Sequence, residues 1–218
     1  MLLVLKFFAL AFSALLPVVN PLGSALMFLT VVGDVPIEHF RYLARKVSVG
    51  MVLFLLIFEV CGAALLNFFG ISMPVVQLAG GFVLAAMGWR ILGQNESANV
   101  QSSSPDRNVG TLDKQIFFPL TFPISAGPAC IVVTLTLSAH ASRHDLVGNV
   151  LAHVGMALAI VALGLTIWLC YLYALRITQK LAPATSQWIL RVVAFVLLCI
   201  GVQIALNGWE AVVKVLPK

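Results

Sequence analysis

An apolar run of about thirty residues at the start of the chain is interrupted in its middle by Leu16-Pro17-Val18-Val19-Asn20-Pro21-Leu22-Gly23-Ser24. Proline has no amide hydrogen and its ring clashes with the preceding turn. Pro17 and Pro21, with Asn20 and Gly23 beside them, are therefore expected to break a helix here. In hydrocarbon the freed backbone groups find no water, so such a break survives only where protein or an aqueous cavity satisfies them. A second break, Pro119-Leu120-Thr121-Phe122-Pro123-Ile124-Ser125-Ala126-Gly127-Pro128-Ala129, occupies the corresponding place of the second half. A single proline reads as a kink in a packed bundle, whereas a matched pair of breaks reads as a site.

Asn20 is a good N-cap and Pro21 a good first helical residue, and Gly127 and Pro128 can play the same parts. Each break then opens a new half-helix whose free amide hydrogens carry roughly half a positive charge. Two such ends aimed at one spot hold an anionic group without Lys or Arg. The small residues Gly23, Ser24, Ala25, Ser125, Ala126 and Gly127 leave room for little side chain, and no charged residue lies beside them. A small zwitterion fits. Thr121, Ser24 and Ser125 can hydrogen-bond both the freed backbone and a ligand.

The chain has 218 residues, 61% hydrophobic and 10% charged, against about a quarter charged in soluble proteins. That composition implies an all-α integral membrane protein forming one membrane domain over 1–218. Apolar stretches long enough to cross a bilayer, about 20 residues each, are expected at 2–32 (broken), 47–69, 74–92, 115–139 (broken), 147–175 and 188–213. The start resembles a secretory signal, but its apolar run continues through Leu29 and its break recurs later, so cleavage is not expected. The net charge of +5 does not indicate nucleic-acid binding, because the basic residues are spread over short connections. Arg41, Arg45, Lys46, Arg90, Arg107, Lys114, Arg176, Lys180 and, at the margin, Arg191 fall on one side, and only Lys6, Arg143, Lys214 and Lys218 on the other. By the positive-inside rule the first side is cytoplasmic and both termini face out.

The halves also match beyond the breaks. Phe82-Val83-Leu84 with Gly88 in the third span is echoed by Phe195-Val196-Leu197 with Gly201 in the sixth. The expected organisation is a first repeat over 1–93, a polar cytoplasmic linker over 94–114 and a second repeat over 115–218. Each repeat has three spans, an odd number, so the second enters the membrane from the opposite face. Six transmembrane helices then form two inverted three-helix repeats with helices 1 and 4 discontinuous. Gly80, Gly81 and Gly88 let helices approach closely. The sequon Asn95-Glu96-Ser97 falls in the linker and carries no weight there.

Glu59 lies almost at the middle of the second span. It reads either as a proton carrier for ion coupling or as a protonated side chain hydrogen-bonded to a neighbouring helix. Gln77, Gln203 and Asn207 are suited to helix-to-helix hydrogen bonds. Cys61, Cys130, Cys170 and Cys199 are isolated within apolar spans and read as small buried hydrophobes. His39, His140 and His144 belong to connections with no zinc-binding spacing. No metal or cofactor is expected. An intramembrane enzyme would need a nucleophile and a base, and Glu59 has no histidine beside it unless His153 reaches inward.

The pieces Asn20-Pro21-Leu22-Gly23, Phe69-Gly70-Ile71-Ser72, Ala79-Gly80-Gly81, Ala126-Gly127-Pro128, Gly201-Val202-Gln203 and Asn207-Gly208 resemble, in order over nearly the whole chain, the MarC family of multi-spanning membrane proteins, named for an association with multiple antibiotic resistance. The resemblance implies two inverted three-helix repeats. It also implies glycine or alanine held at the interrupted first and fourth helices, with movement linked to a cation gradient. It carries over to Asn20, Pro21, Gly23, Gly127 and Pro128. Ser24 stands where the family often has a second Asn and Ala129 where it often has Gly, and Glu59 is outside the family pattern. The function expected is a secondary transporter of small neutral amino acids or similar metabolites in the bacterial inner membrane. No P-loop is present, so a proton or sodium gradient would drive it. The alternatives are a non-transporting stress-response or drug-resistance-associated membrane protein, or an intramembrane enzyme.

Overall fold

The computed structural model describes residues 1–33, 35–93, 116–141, 146–174 and 183–215. The linker expected at 94–114, its sequon, His144 and the basic residues Arg107, Lys114, Arg143, Arg176, Lys180 and Lys218 lie outside them. The described elements are helical, with no strand among them. Helix α1 covers Leu2–Val19, α2 Pro21–Val32, α3 Ile37–Phe68 and α4 Met73–Leu92; after a wide-turned segment over Ile116–Ser125 come α5 at Pro128–Ala141, α6 at Leu146–Leu172 and α7 at Pro183–Val215. Helices long and apolar enough to cross a membrane cover Leu2–Leu29, Met73–Leu92, Leu146–Leu172 and Arg191–Lys214 among the described residues, with a shorter apolar helix at Pro128–Ala139.

The stretch expected as a second span, 47–69, is contained in α3, but that helix starts at Ile37. His39, Arg41, Arg45 and Lys46, expected in a connection, are therefore helical. Pro36 precedes the first turn, where proline's fixed φ suits helix entry, and nothing up to Val47 breaks the helix. Phe40, Leu43, Ala44, Val47, Met51 and Leu55 are buried while Arg41, Arg45 and Lys46 are exposed. This is a helical stripe with its cations on the outer face.

Helices α3 and α6 pack antiparallel: Glu59 meets His153 near one end, Gly164 faces Val52 and Ser48 in the middle, and Arg41 and Arg45 share a cavity of 640 Å³ with Trp168, Leu172 and Tyr173 at the other end. Helix α6 also packs on α1 and α2. Helices α4 and α7 form the most extensive contact, again antiparallel, along a seam of glycines. A Cβ on Gly81 would meet the Gly201 carbonyl oxygen at 2.6 Å, one on Gly201 the Gly81 oxygen at 2.8 Å, and one on Gly88 the Ala194 oxygen at 2.7 Å. Backbone lies against backbone at each of these points, so only a residue without Cβ fits. Gly80 turns elsewhere, against Val132 of α5.

Candidate functional site

Pro17 does not end the first helix, contrary to the expectation that both prolines would interrupt it; α1 runs on through Val19. The chain breaks at Asn20, whose φ of 47° and ψ of 70° are left-handed. Asparagine is among the few residues with a side chain that adopt this region readily. Its amide still donates to the Leu16 carbonyl at 3.1 Å, and its own carbonyl accepts from the Ser24 amide at 2.9 Å. Asn20 thus closes one helix and opens the next. Its Oδ1 accepts from the Gly23 amide at 3.2 Å, which is the N-cap bond, with Pro21 in the first helical position. A Cβ at Gly23 would run into the Asn20 amide nitrogen, so Gly23 is what allows this cap to fold back.

The second interruption is built differently. Over Ile116–Ser125 the turns are wider than those of an α-helix, and Phe118 (φ −123°, ψ 122°) and Phe122 (φ −122°, ψ 126°), each just before a proline, are extended, as residues preceding proline prefer to be. Hydroxyls bond back to carbonyls one wide turn earlier. Thr121 Oγ1 donates to the Ile116 oxygen at 2.7 Å, Ser125 Oγ approaches the Leu120 oxygen at 2.7 Å, and the Ala126 amide reaches back to Thr121 at 2.8 Å. Helix α5 then starts at Pro128, with the Cys130 amide bonded to the Gly127 oxygen at 2.9 Å.

Tyr171 of α6 joins the two interruptions. Its hydroxyl lies 2.7 Å from Ser125 Oγ and close to Ser24, whose own Oγ lies 3.1 Å from the Asn20 oxygen and 3.2 Å from the Pro21 oxygen. The Tyr171 ring stacks on Phe28 of α2 with centroids 4.4 Å apart, and Phe40 of α3 meets Phe28 edge-on at 5.2 Å. An aromatic layer drawn from three helices therefore covers the polar groups on the side of Arg41.

Among the expected site residues, Ser24, Thr121, Ser125 and Ala129 are buried, Asn20, Pro21, Gly23 and Gly127 are half-buried, and Pro128 is exposed. Ser24 and Ser125 are brought together. Thr121 instead packs on α3, where a Cβ on Gly50 would meet its Oγ1 at 2.9 Å. Glu59 is not at the interruptions. It is buried near the other end of α3, with Oε1 2.5 Å from His153 Nδ1, so His153 does reach inward. Sequence reasoning missed Tyr171, Phe28 and Gly50, although a tyrosine near the end of an apolar span was a visible signal. It also missed Thr134 of α5, a fully buried residue whose Oγ1 has no hydrogen-bond partner among the described residues.

A helical chain with several apolar helices long enough to cross a bilayer, and a buried hydroxyl cluster where its helices are interrupted, is a multi-spanning integral membrane protein. The family model described as "MarC family integral membrane protein" matches residues 5–213, and the chain belongs to that family. It is 27% identical over 208 residues to a membrane protein of Pyrococcus horikoshii, covering 95% of this chain and 96% of the relative. It is 25% identical over 213 residues to the inner membrane protein MarC of Salmonella typhimurium and 28% identical over 215 residues to the inner membrane protein MarC of Citrobacter koseri, with 96% of each chain covered in both cases. No solved structure matches the chain.

Proposed function

We propose that this protein is a secondary transporter of small neutral amino acids or similar zwitterions, held between the interruptions at Asn20 and Gly127. The observation that carries this reading is the convergence of Ser24 and Ser125: residues from the two interruptions, far apart in sequence, both lie beside the one Tyr171 hydroxyl, which Ser125 bonds. The amide ends opened at Pro21 and Pro128 favour a carboxylate, and the surrounding Gly, Ser and Ala limit the solute to a small side chain. Asn20, Pro21, Gly23, Ser24, Thr121, Ser125, Gly127, Pro128 and Ala129 form the site in this reading.

The arrangement of the halves supports two inverted three-helix repeats with discontinuous first and fourth helices. Helices α4 and α7, third in their halves, run antiparallel, with Gly81 and Gly201 each against the other's carbonyl. Helices α3 and α6, second in theirs, are antiparallel as well. Inverted repeats around a central axis place a site at mid-depth, where each half can rock against the other. Arg41, Arg45 and Lys46 at one end of α3 make that end cytoplasmic by charge, so both termini face out and the aromatic layer of Phe40, Phe28 and Tyr171 closes the site toward the cytoplasm. An ion gradient, of protons or sodium, drives the movement.

An enzyme is the weaker reading. Beside the Glu59–His153 pair, Ser138 Oγ donates to the Glu59 main-chain oxygen at 2.9 Å, a bond that does not prepare it as a nucleophile. The deciding experiment is reconstitution into liposomes with labelled glycine, alanine, serine and threonine, with and without proton and sodium gradients. Gradient-dependent flux of at least one of them is expected; its absence for all four refutes the reading.

A further inference from the structure

The Glu59 carboxyl is only 2% exposed, while 28% of the His153 side chain reaches the surface. Their contact, Oε1 to Nδ1 at 2.5 Å, is an acid–imidazole pair within a helical membrane bundle, far along α3 from the interruptions. The same point is tied to a third helix, because Ser138 of α5 donates its hydroxyl to the Glu59 main-chain oxygen at 2.9 Å. Helices α3, α5 and α6 are therefore joined at one place. Ser138 is 11 residues beyond Gly127 on α5, roughly 16 Å along the helix at about 1.5 Å per residue. Helix α5 runs from this place to the second interruption.

The geometry points to Glu59 and His153 as a proton-binding site that clamps α3, α5 and α6 together and, on the transporter reading above, couples solute movement to the proton gradient. With the proton bound, carboxylate and imidazolium neutralise each other and the contact is held. When His153 gives its proton to water, the pair keeps a net negative charge in a low-dielectric setting, which is costly unless the helices part and water enters. Imidazole is the side chain whose charge changes most readily near neutral pH, and here it is the open member of the pair. The proton enters and leaves through it while the carboxylate supplies the fixed partner. The neighbouring elements facing this place offer Leu135 and Ser138 from α5 and Val4 and Phe7 from α1, none of which titrates. Other ionisable residues on these helices toward the same end are Lys6 and Cys61, both exposed, and His140.

The test uses the full chain in liposomes with labelled glycine, alanine, serine and threonine. Glu59→Gln and His153→Gln are each expected to reduce pH-gradient-driven accumulation at least tenfold while leaving solute exchange at equal pH on both sides intact; intact exchange also shows that the variants fold. Gradient-driven accumulation that survives in both variants overturns the proposal. A second measurement needs no solute. Infrared difference spectra and ¹⁵N-imidazole resonances, followed over about pH 5 to 8, are expected to show a His153 signal that is altered in Glu59→Gln, because the imidazole loses its carboxylate partner. A His153 signal that is unchanged in that variant also overturns the proposal. A titration that behaves as expected in a protein moving none of the four amino acids counts against the transporter reading and leaves the proton site standing.

Discussion

The Tyr171 hydroxyl and Ser125 Oγ lie 2.7 Å apart, both nearly inaccessible, although 46 residues separate them in sequence. Ser24 lies close to the same hydroxyl from the first half. Replacing Tyr171 by Phe keeps the ring stacked on Phe28 and removes only the oxygen. The expected cost is about 1 kcal/mol of stability, the usual size for one buried hydrogen bond, with a weaker solute affinity because Ser125 loses its partner. Thermal unfolding in detergent and calorimetric binding of glycine check this. An unchanged melting temperature together with unchanged affinity would show that Tyr171 does not organise the site.

Gly127 is half-buried at the entrance to α5. A leucine there fills the space before the open amides, so Gly127→Leu is expected to abolish glycine binding in a protein that still elutes as a folded species. Binding at wild-type affinity, measured by calorimetry, refutes the placement of the solute.

Asn20 combines a left-handed backbone with a side-chain cap. Asn20→Gly keeps the backbone freedom and loses the cap, a change of a few tenths of a kcal/mol, whereas Asn20→Ala loses both and is expected to cost about 2 kcal/mol. The order of melting temperatures, wild type above Gly above Ala, is the readout. Equal values for Gly and Ala would mean that the φ of 47° contributes nothing.

The seam between α4 and α7 gives a sharp contrast between glycines. At Gly81 an added Cβ collides with the backbone of Gly201 and Ala205, while at Gly93 the nearest atom is 3.5 Å away. Gly81→Val is expected to destabilise by about 3 kcal/mol or to prevent folding, and Gly93→Ala to leave the melting temperature unchanged. Similar values for both would place the helices farther apart than this packing does.

Much of the architecture was legible because it depends on local chemistry. Asn20 as a cap and Pro21 in the first helical position open a helix by local preference, and apolar runs long enough for a bilayer announce themselves by composition. Pro17 was misjudged because a proline removes one hydrogen bond from a helix that neighbours can still hold in place, which the sequence does not reveal. The start of α3 was placed at Val47 instead of Ile37 because Arg41, Arg45 and Lys46 read as a connection, although they occupy only one face of a helix.

The sequence by itself determined that this chain is a helical membrane protein of the MarC family, where its first long helix breaks, and which small residues surround that break. Only the tertiary structure decided that Ser24 and Ser125 gather at Tyr171, that Glu59 faces His153, and that Gly81 lies against Gly201. Each of these is a contact between helices, set by the rotation and depth at which whole faces pack. Hydropathy shows that a face is apolar, but many rotations bury it equally well, and only the filled space of the bundle selects one.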